Sequence, residues 1–320
     1  MRKLRSIQVL RAIAACAVAL LHSYQNLGMP AGREGYGAFG VDLFFVLSGF
    51  IMANVAEGRT AGAFLRDRLW RIYPMWWLAL LPWLLLLPRS PIFIVSSLTL
   101  WPIYGNDYYV PVLQVGWTLS FELLFYAAMA LALRTRAWVP LAIYGICLVG
   151  AMTTSSALFH FIGNPVALEF LMGVAIAKLP RRAAFGLLAP VGVLLLALTS
   201  PVVGSAQATL GVENGSWRAL EWGAPAALIV WGALSLEPWF KHRLFDVPVA
   251  IGDASYALYL FHPLVAYGLD FPWPVRLLIA IFVGWCIHWL VERRILALRR
   301  RDSGLGRRLA PSLHGNVKHA

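Results

Sequence analysis

Residues 7–28 read IQVLRAIAACAVALLHSYQNLG, an apolar stretch long enough to cross a hydrocarbon core of roughly 30 Å, yet it carries two ionisable side chains, Arg11 and His22. At about 3.6 residues per turn and about 1.5 Å rise, the two project from one helix face about 16 Å apart. Charged groups at membrane depth normally face a cavity or a partner and mark a pathway or a reacting site. The basic start MRKLRSIQVLRAIAACAVALL has the regions of a signal peptide but no small-residue cleavage site before Arg11 and His22, so it reads as an uncleaved first helix.

The rest of the chain is built the same way. Among 320 residues, 60% are hydrophobic and 13% charged, with a mean hydropathy of +0.69, a balance that excludes an ordinary soluble domain. Apolar windows at 7–28, 39–57, 72–88, 116–133, 138–154, 163–179, 184–200, 217–237, 249–268 and 274–294 predict an all-α, polytopic transmembrane helix bundle of about ten spans. The segment at 89–115 is predicted as an outer loop with a short interfacial helix, Tyr104, Tyr108 and Tyr109 suiting the headgroup boundary, and 201–216 as a second outer loop. Trp76, Trp77, Trp101, Trp117 and Trp222 are expected in interfacial belts.

A net charge of +12 would suggest nucleic acid in a soluble protein, but here most of the 27 basic residues fall in alternate loops. Arg2, Lys3 and Arg5, the group from Arg59 to Arg71, Arg134 and Arg136, Lys178 to Arg182, Lys241 and Arg243, and the C-terminal segment share one side, leaving Arg33, Arg89, Arg218 and Arg276 opposite. The positive-inside rule therefore predicts a multi-pass inner-membrane protein with both termini cytoplasmic and no nucleic-acid partner. Residues 1–298 form the expected membrane domain, and 299–320 a basic cytoplasmic tail attracted to anionic lipid. Cys16, Cys147 and Cys286 lie in apolar windows and imply neither disulfide nor metal site.

This topology sorts the buried polar groups by depth. His22, Asp42, Glu122 and His262 converge on the outer half, while Arg66, Arg68 and Arg71 sit at the foot of the third span with Arg11 about 6 Å above that face. Guanidinium groups bind phosphate in fork geometry, so a donor anionic at one end and reactive at the other would span foot and cluster, as a coenzyme A thioester does. Neutral His22 would act as general base, with Asp42 or Glu122 holding its tautomer. Arg11 would orient the thioester or stabilise developing charge, and an acyl-histidine intermediate is the variant route. Structural readings stand beside these: the three arginines as topology determinants, Glu122 as a neutralising partner, Asp42 as a cap of the second helix, and His22 as a bond to a neighbouring helix.

The motifs in these positions resemble those of the acyltransferase-3 family of integral membrane acyltransferases along about the whole chain. RAIAACAVALLH at 11–22 is similar to the family's Arg-x10-His signature, GAFGVDLFFVLSGFIMA at 37–53 to its second-helix block, and FLRDRLWRIYPMWW at 64–77 to its Arg-x-x-Arg element through Arg68 and Arg71. VGWTLSFELLFY at 115–126 and GDASYALYLFHP at 252–263 complete the order, the last carrying Ser255, Tyr259 and His262 as supporting residues of the site. SIQVLRA, GWTLSFELLFY and NPVALEFLMG look most like the exopolysaccharide-production branch. The resemblance implies a cytoplasmic acyl-CoA donor, usually acetyl-CoA, with no permanently bound cofactor. It also implies a sugar hydroxyl acceptor on a polysaccharide or its lipid-linked precursor. Some members carry an appended esterase-like domain; with none expected here, the acyl group would pass directly to the acceptor or through the polysaccharide biosynthesis machinery. A transporter or flippase of an anionic or lipid-linked solute would use similar buried charges, but no internal repeat supports it. A non-enzymatic scaffold would not require His22 beside Arg11.

Overall fold

The computed structural model describes residues 3–24, 36–87, 89–105, 107–136, 138, 141–142, 144–145, 156–199 and 218–302. The expected loop at 201–216, most of the window at 138–154, Cys147 and residues 303–320 lie outside the described residues.

Helix α1 (Arg5–Tyr24) starts where a carboxylate from elsewhere in the chain satisfies its free amide groups. Glu237 accepts from the Arg5 and Ser6 backbone N–H at 2.8 and 3.0 Å and from the Ser6 hydroxyl at 2.5 Å. Helix α2 (Phe39–Ala56) is apolar on nearly every face and largely buried. Helix α3 (Ala61–Leu86) is capped by Thr60, whose hydroxyl accepts from the Ala63 N–H at 3.3 Å, and contains Pro74 and Pro82. It begins eleven positions before the expected 72, so Arg66, Arg68 and Arg71 stand on the helix itself. Between α3 and α5 (Trp117–Thr135) lie a short helix α4 (Pro91–Thr99) and a two-stranded ribbon pairing Ile103–Tyr104 with Asp107–Tyr108. Tyr108 packs on Phe161 at 6.2 Å between ring centres, and burial pushes its phenol pKa up.

Helices α6 (Ala157–Ile162) and α7 (Leu168–Ile176) follow, and α7 meets α2 at glycine. A Cβ at Gly49 would lie 2.0 Å from the Phe170 carbonyl oxygen, and one at Gly173 2.0 Å from that of Val46, so only glycine permits this approach of backbones. Beyond these are α8 (Leu188–Leu198), α9 (Ala224–Ser235), α10 (Asp246–Asp253), α11 (Ser255–Gly268), α12 (Trp273–Ile287) and α13 (Arg293–Asp302).

By length and composition, six helices among the described residues suffice to cross a membrane. The number becomes seven if Arg243–Asp253 and Ser255–Gly268, bent by 66°, make one broken span. Ten spans are not seen among the described residues, which omit most of the window at 138–154; the run at 249–268 is broken, and the apolar helices at Ala183–Leu198 and Ala219–Ser235 are shorter. The expected boundary at 298/299 falls inside α13, where Arg299 donates to Asp67 at 2.7 Å, so the tail begins tied to α3. Trp76 and Trp222 are core residues with no exposure and Trp117 is buried, whereas Trp77 and Trp101 are exposed as a belt requires.

Three helices, α1, α3 and α11, run side by side in one direction. Arg11 Nε donates to Ser255 at 3.1 Å and Tyr256 donates to the Ile72 carbonyl at 3.0 Å at one end. At the other, His22 meets His262 at 3.1 Å and Trp83 meets Tyr267 at 6.3 Å between ring centres. Helix α12 returns antiparallel, bringing Trp273 to Tyr24 at 4.5 Å between ring centres, and the π-helical turn His288–Glu292 beyond it brings Glu292 to Arg71 at 2.5 Å.

Candidate functional site

At the arginine end the helices enclose a cavity of about 150 Å3. Arg11, Arg68, Arg71, Glu122, Ser255 and Tyr259 all line it, together with Ser48, Thr118, Tyr126 and Tyr256. The three cations are held differently. Arg71 pairs with Glu292, which is 1% exposed and also 2.8 Å from His288 Nδ1, and its guanidinium lies 5.1 Å from the Tyr256 ring centre. Arg68 Nη1 reaches the Met52 sulfur at 3.8 Å, and among the described residues its buried Nε has no hydrogen-bond partner. A buried donor left open is uncommon in a folded protein and suits an anion that arrives from outside. Arg66 is exposed and does not line the cavity.

Glu122 is fixed by hydroxyls rather than by an arginine. Ser48 donates to its Oε1 at 2.9 Å and Tyr126 donates to the same oxygen. Asp42 is engaged elsewhere: it accepts from Arg218 Nε at 2.8 Å and Nη2 at 2.7 Å, both side chains almost fully buried, with the guanidinium 5.1 Å from the Trp222 ring centre. The capping role for Asp42 is not realised, since no side chain caps the start of α2. Neither carboxylate holds the His22 tautomer, which is a correction to the sequence reading.

The tautomer is held by His262 and the backbone. His22 Nδ1 lies 2.9 Å from the Val18 carbonyl oxygen and 3.1 Å from His262 Nε2, and His262 Nδ1 lies 3.2 Å from the Leu258 carbonyl oxygen. A carbonyl only accepts, so each Nδ1 carries a proton. His262 Nε2 then offers a lone pair to His22 Nδ1–H, and a neutral His22 ring keeps a lone pair on Nε2. The cavity does not reach this pair. Phe44 and Tyr259 line it, with ring centres 5.7 Å apart, and Tyr259 is in turn 6.0 Å from His262. The Tyr259 hydroxyl shares a 2.8 Å hydrogen bond with Thr118 and lies 3.1 Å from the Val115 carbonyl oxygen.

Arg218 and Glu292 escaped the sequence reading as site residues. Each borders an apolar stretch, WRALEWGAP and WLVERR, but with other charges close by, Glu221 in the first and Arg293 and Arg294 in the second, so neither stands out in the sequence as Arg11 does.

A family model describing an acyltransferase domain matches residues 4–293. The chain belongs to this family. The acyltransferase is 33% identical over 310 residues to the exopolysaccharide production protein ExoZ of Rhizobium meliloti (strain 1021), covering 86% of this chain and 95% of the relative. It is 25% identical over 341 residues to nodulation protein 10 of Rhizobium leguminosarum bv. viciae, covering 89% of this chain and 86% of that one. No solved structure matches it significantly. With its apolar helices, family membership makes it a multi-pass membrane acyltransferase.

Proposed function

We propose that the protein takes an acyl group, acetyl in the simplest case, from acyl-CoA at the arginine end and delivers it to a sugar hydroxyl of an exopolysaccharide or its lipid-linked precursor at the histidine end. The arginine end faces the cytoplasm, where acyl-CoA is made, in an inner-membrane protein with both termini on that side. The relative named for exopolysaccharide production supports the acceptor class. One observation carries the reading: a cavity with three arginines and a histidine pair with an open Nε2 lie at opposite ends of the same three helices.

Arg68 binds the anionic part of the donor, and Arg11 orients the thioester arm. The arm passes Phe44 and Tyr259 when those rings move aside. His22 Nε2 takes the proton of the acceptor hydroxyl as its oxygen attacks the thioester carbon; the C–S bond breaks, and the proton passes on to the departing CoA thiolate. His262 keeps the His22 lone pair directed at the hydroxyl. Acceptors reach this end through the polysaccharide biosynthesis machinery.

The test is transfer of label from [14C]acetyl-CoA to glycan by purified protein in liposomes. His22→Ala should lower transfer by about 10²- to 10⁴-fold, the usual worth of a general base, while inserting normally. Transfer retained in that variant would remove the assignment.

A further inference from the structure

We infer that Tyr267, Trp83 and Arg276 form a binding site for one ring of a glycan, placed to present its hydroxyl to His22; this rests on the proposed function and names where its acceptor is held.

The site is at the far end of the helices that carry the cavity. Tyr267, near the end of α11, lies 6.0 Å from His22 between ring centres at an interplanar angle of 84°, and 6.3 Å from Trp83 at 84°. It remains 42% exposed, so part of its ring is uncovered beside the imidazole. Tyr24 and Trp273 close the neighbouring edge with ring centres 4.5 Å apart.

Among the described residues, two buried donors at this end of α11 lack partners. Trp83 Nε1 has no hydrogen-bond acceptor, nor does Nε of Arg276, which is 4% exposed and reaches the Ala266 carbonyl at 3.4 Å and Asp270 at 3.3 Å with its terminal nitrogens. An unsatisfied buried N–H costs free energy, and native proteins rarely keep one without a use. Ordinary belt tryptophans differ: the exposed Trp77 donates to the Leu98 carbonyl at 3.0 Å. A pyranose matches what is left open here, since its C–H face packs on an aromatic ring and its hydroxyls accept from indole and guanidinium N–H groups. A plain lipid chain would use the rings and leave both donors unmet.

The experiment uses the full-length protein in detergent micelles. One arm supplies polysaccharide from the producing cell stripped of its acyl groups by mild alkali, and the other a lipid-linked oligosaccharide fraction from the same cell. In each, tryptophan quenching reports binding and [14C]acetyl-CoA reports transfer. Tyr267→Ala should weaken binding and raise the acceptor KM by about 3- to 10-fold in at least one arm, leaving donor KM and acceptor-independent donor hydrolysis unchanged. Trp83→Phe, which keeps a ring and deletes the open donor, should act in the same direction and decides the matter should Tyr267→Ala fail to insert. The arm that responds identifies the glycan source. Glycan binding by the wild type that Tyr267→Ala abolishes would uphold the site even where no label moves, in which case the acyltransfer reading alone fails. Unchanged acceptor binding and KM in both arms, wild-type protein that binds neither glycan, or equal shifts in donor and acceptor KM would overturn it.

Discussion

At the arginine end Arg11, Arg68 and Arg71 face a cavity of about 150 Å3, with Glu122 opposite them and Glu292 behind Arg71. At the histidine end of the same helices His22 and His262 lie outside the lining of that cavity and engage one another and two carbonyls. The difference fits the roles proposed for the two ends. A polyanion requires permanent positive charge with room beside it, whereas a proton acceptor requires a lone pair that no cation or acid competes for. Substitutions of the histidines should therefore act on kcat and those of the arginines on donor KM. His22→Ala makes the largest test of that split, and a donor KM effect from it with kcat preserved would erase the contrast.

The Asp42–Arg218 pair belongs to neither end. It is an internal fastener whose members are 0% and 1% exposed, and removing one charge strands the other in the core. Asp42→Ala should cost about 3–5 kcal/mol, seen as a lowered Tm in detergent. The double change Asp42→Leu with Arg218→Met should recover much of that loss, because an apolar pair of similar size avoids the desolvation of both ions. Acyl transfer impaired in Asp42→Ala at unchanged Tm would return this carboxylate to the site.

Within the arginine end the contrast is sharper still. Arg68 has an open Nε, whereas Arg71 is already matched by Glu292. Arg68→Ala should raise the donor KM by about tenfold, the worth of a charge-assisted hydrogen bond, and Arg71→Ala by less. Kinetics against acetyl-CoA and against acetyl-pantetheine, which lacks the nucleotide, check this directly: the Arg68→Ala defect should vanish with the shorter donor. Equal defects with both donors would separate Arg68 from the anion.

How much of this was legible in the sequence depended on distance along the chain. Arg11 and His22 stood out because each interrupts an apolar run, and their common helix face followed from periodicity alone. Arg68, Arg71, Glu122, Ser255 and Tyr259, singled out by the motifs, line one cavity, although Glu122, expected at the level of His22, lies with the arginines and Ser255 bonds to Arg11. Pairings across the fold were hidden: Arg218 meets Asp42 at a separation of 176 residues and His262 meets His22 at 240, and no local pattern encodes either. Hydropathy also misplaced the start of α3, because the charged first turns that carry Arg66 to Arg71 are helical yet too polar for an apolar window. The same habit of reading by window treated the 249–268 run as a single straight span, though the chain bends by 66° between Asp253 and Ser255.

The central claim joins the two ends through one extended donor. A cryo-EM structure of the protein with a thioether analogue of acetyl-CoA, in which a methylene separates sulfur and carbonyl, tests it most directly. The account predicts anionic groups of the donor hydrogen-bonded to Arg68, Phe44 and Tyr259 displaced from each other, and the carbonyl carbon next to the hydroxyl position, about 3–3.5 Å from His22 Nε2, where an acceptor oxygen would attack. An analogue lying wholly on the arginine side of an unmoved Tyr259, with no passage to the imidazole, would contradict it.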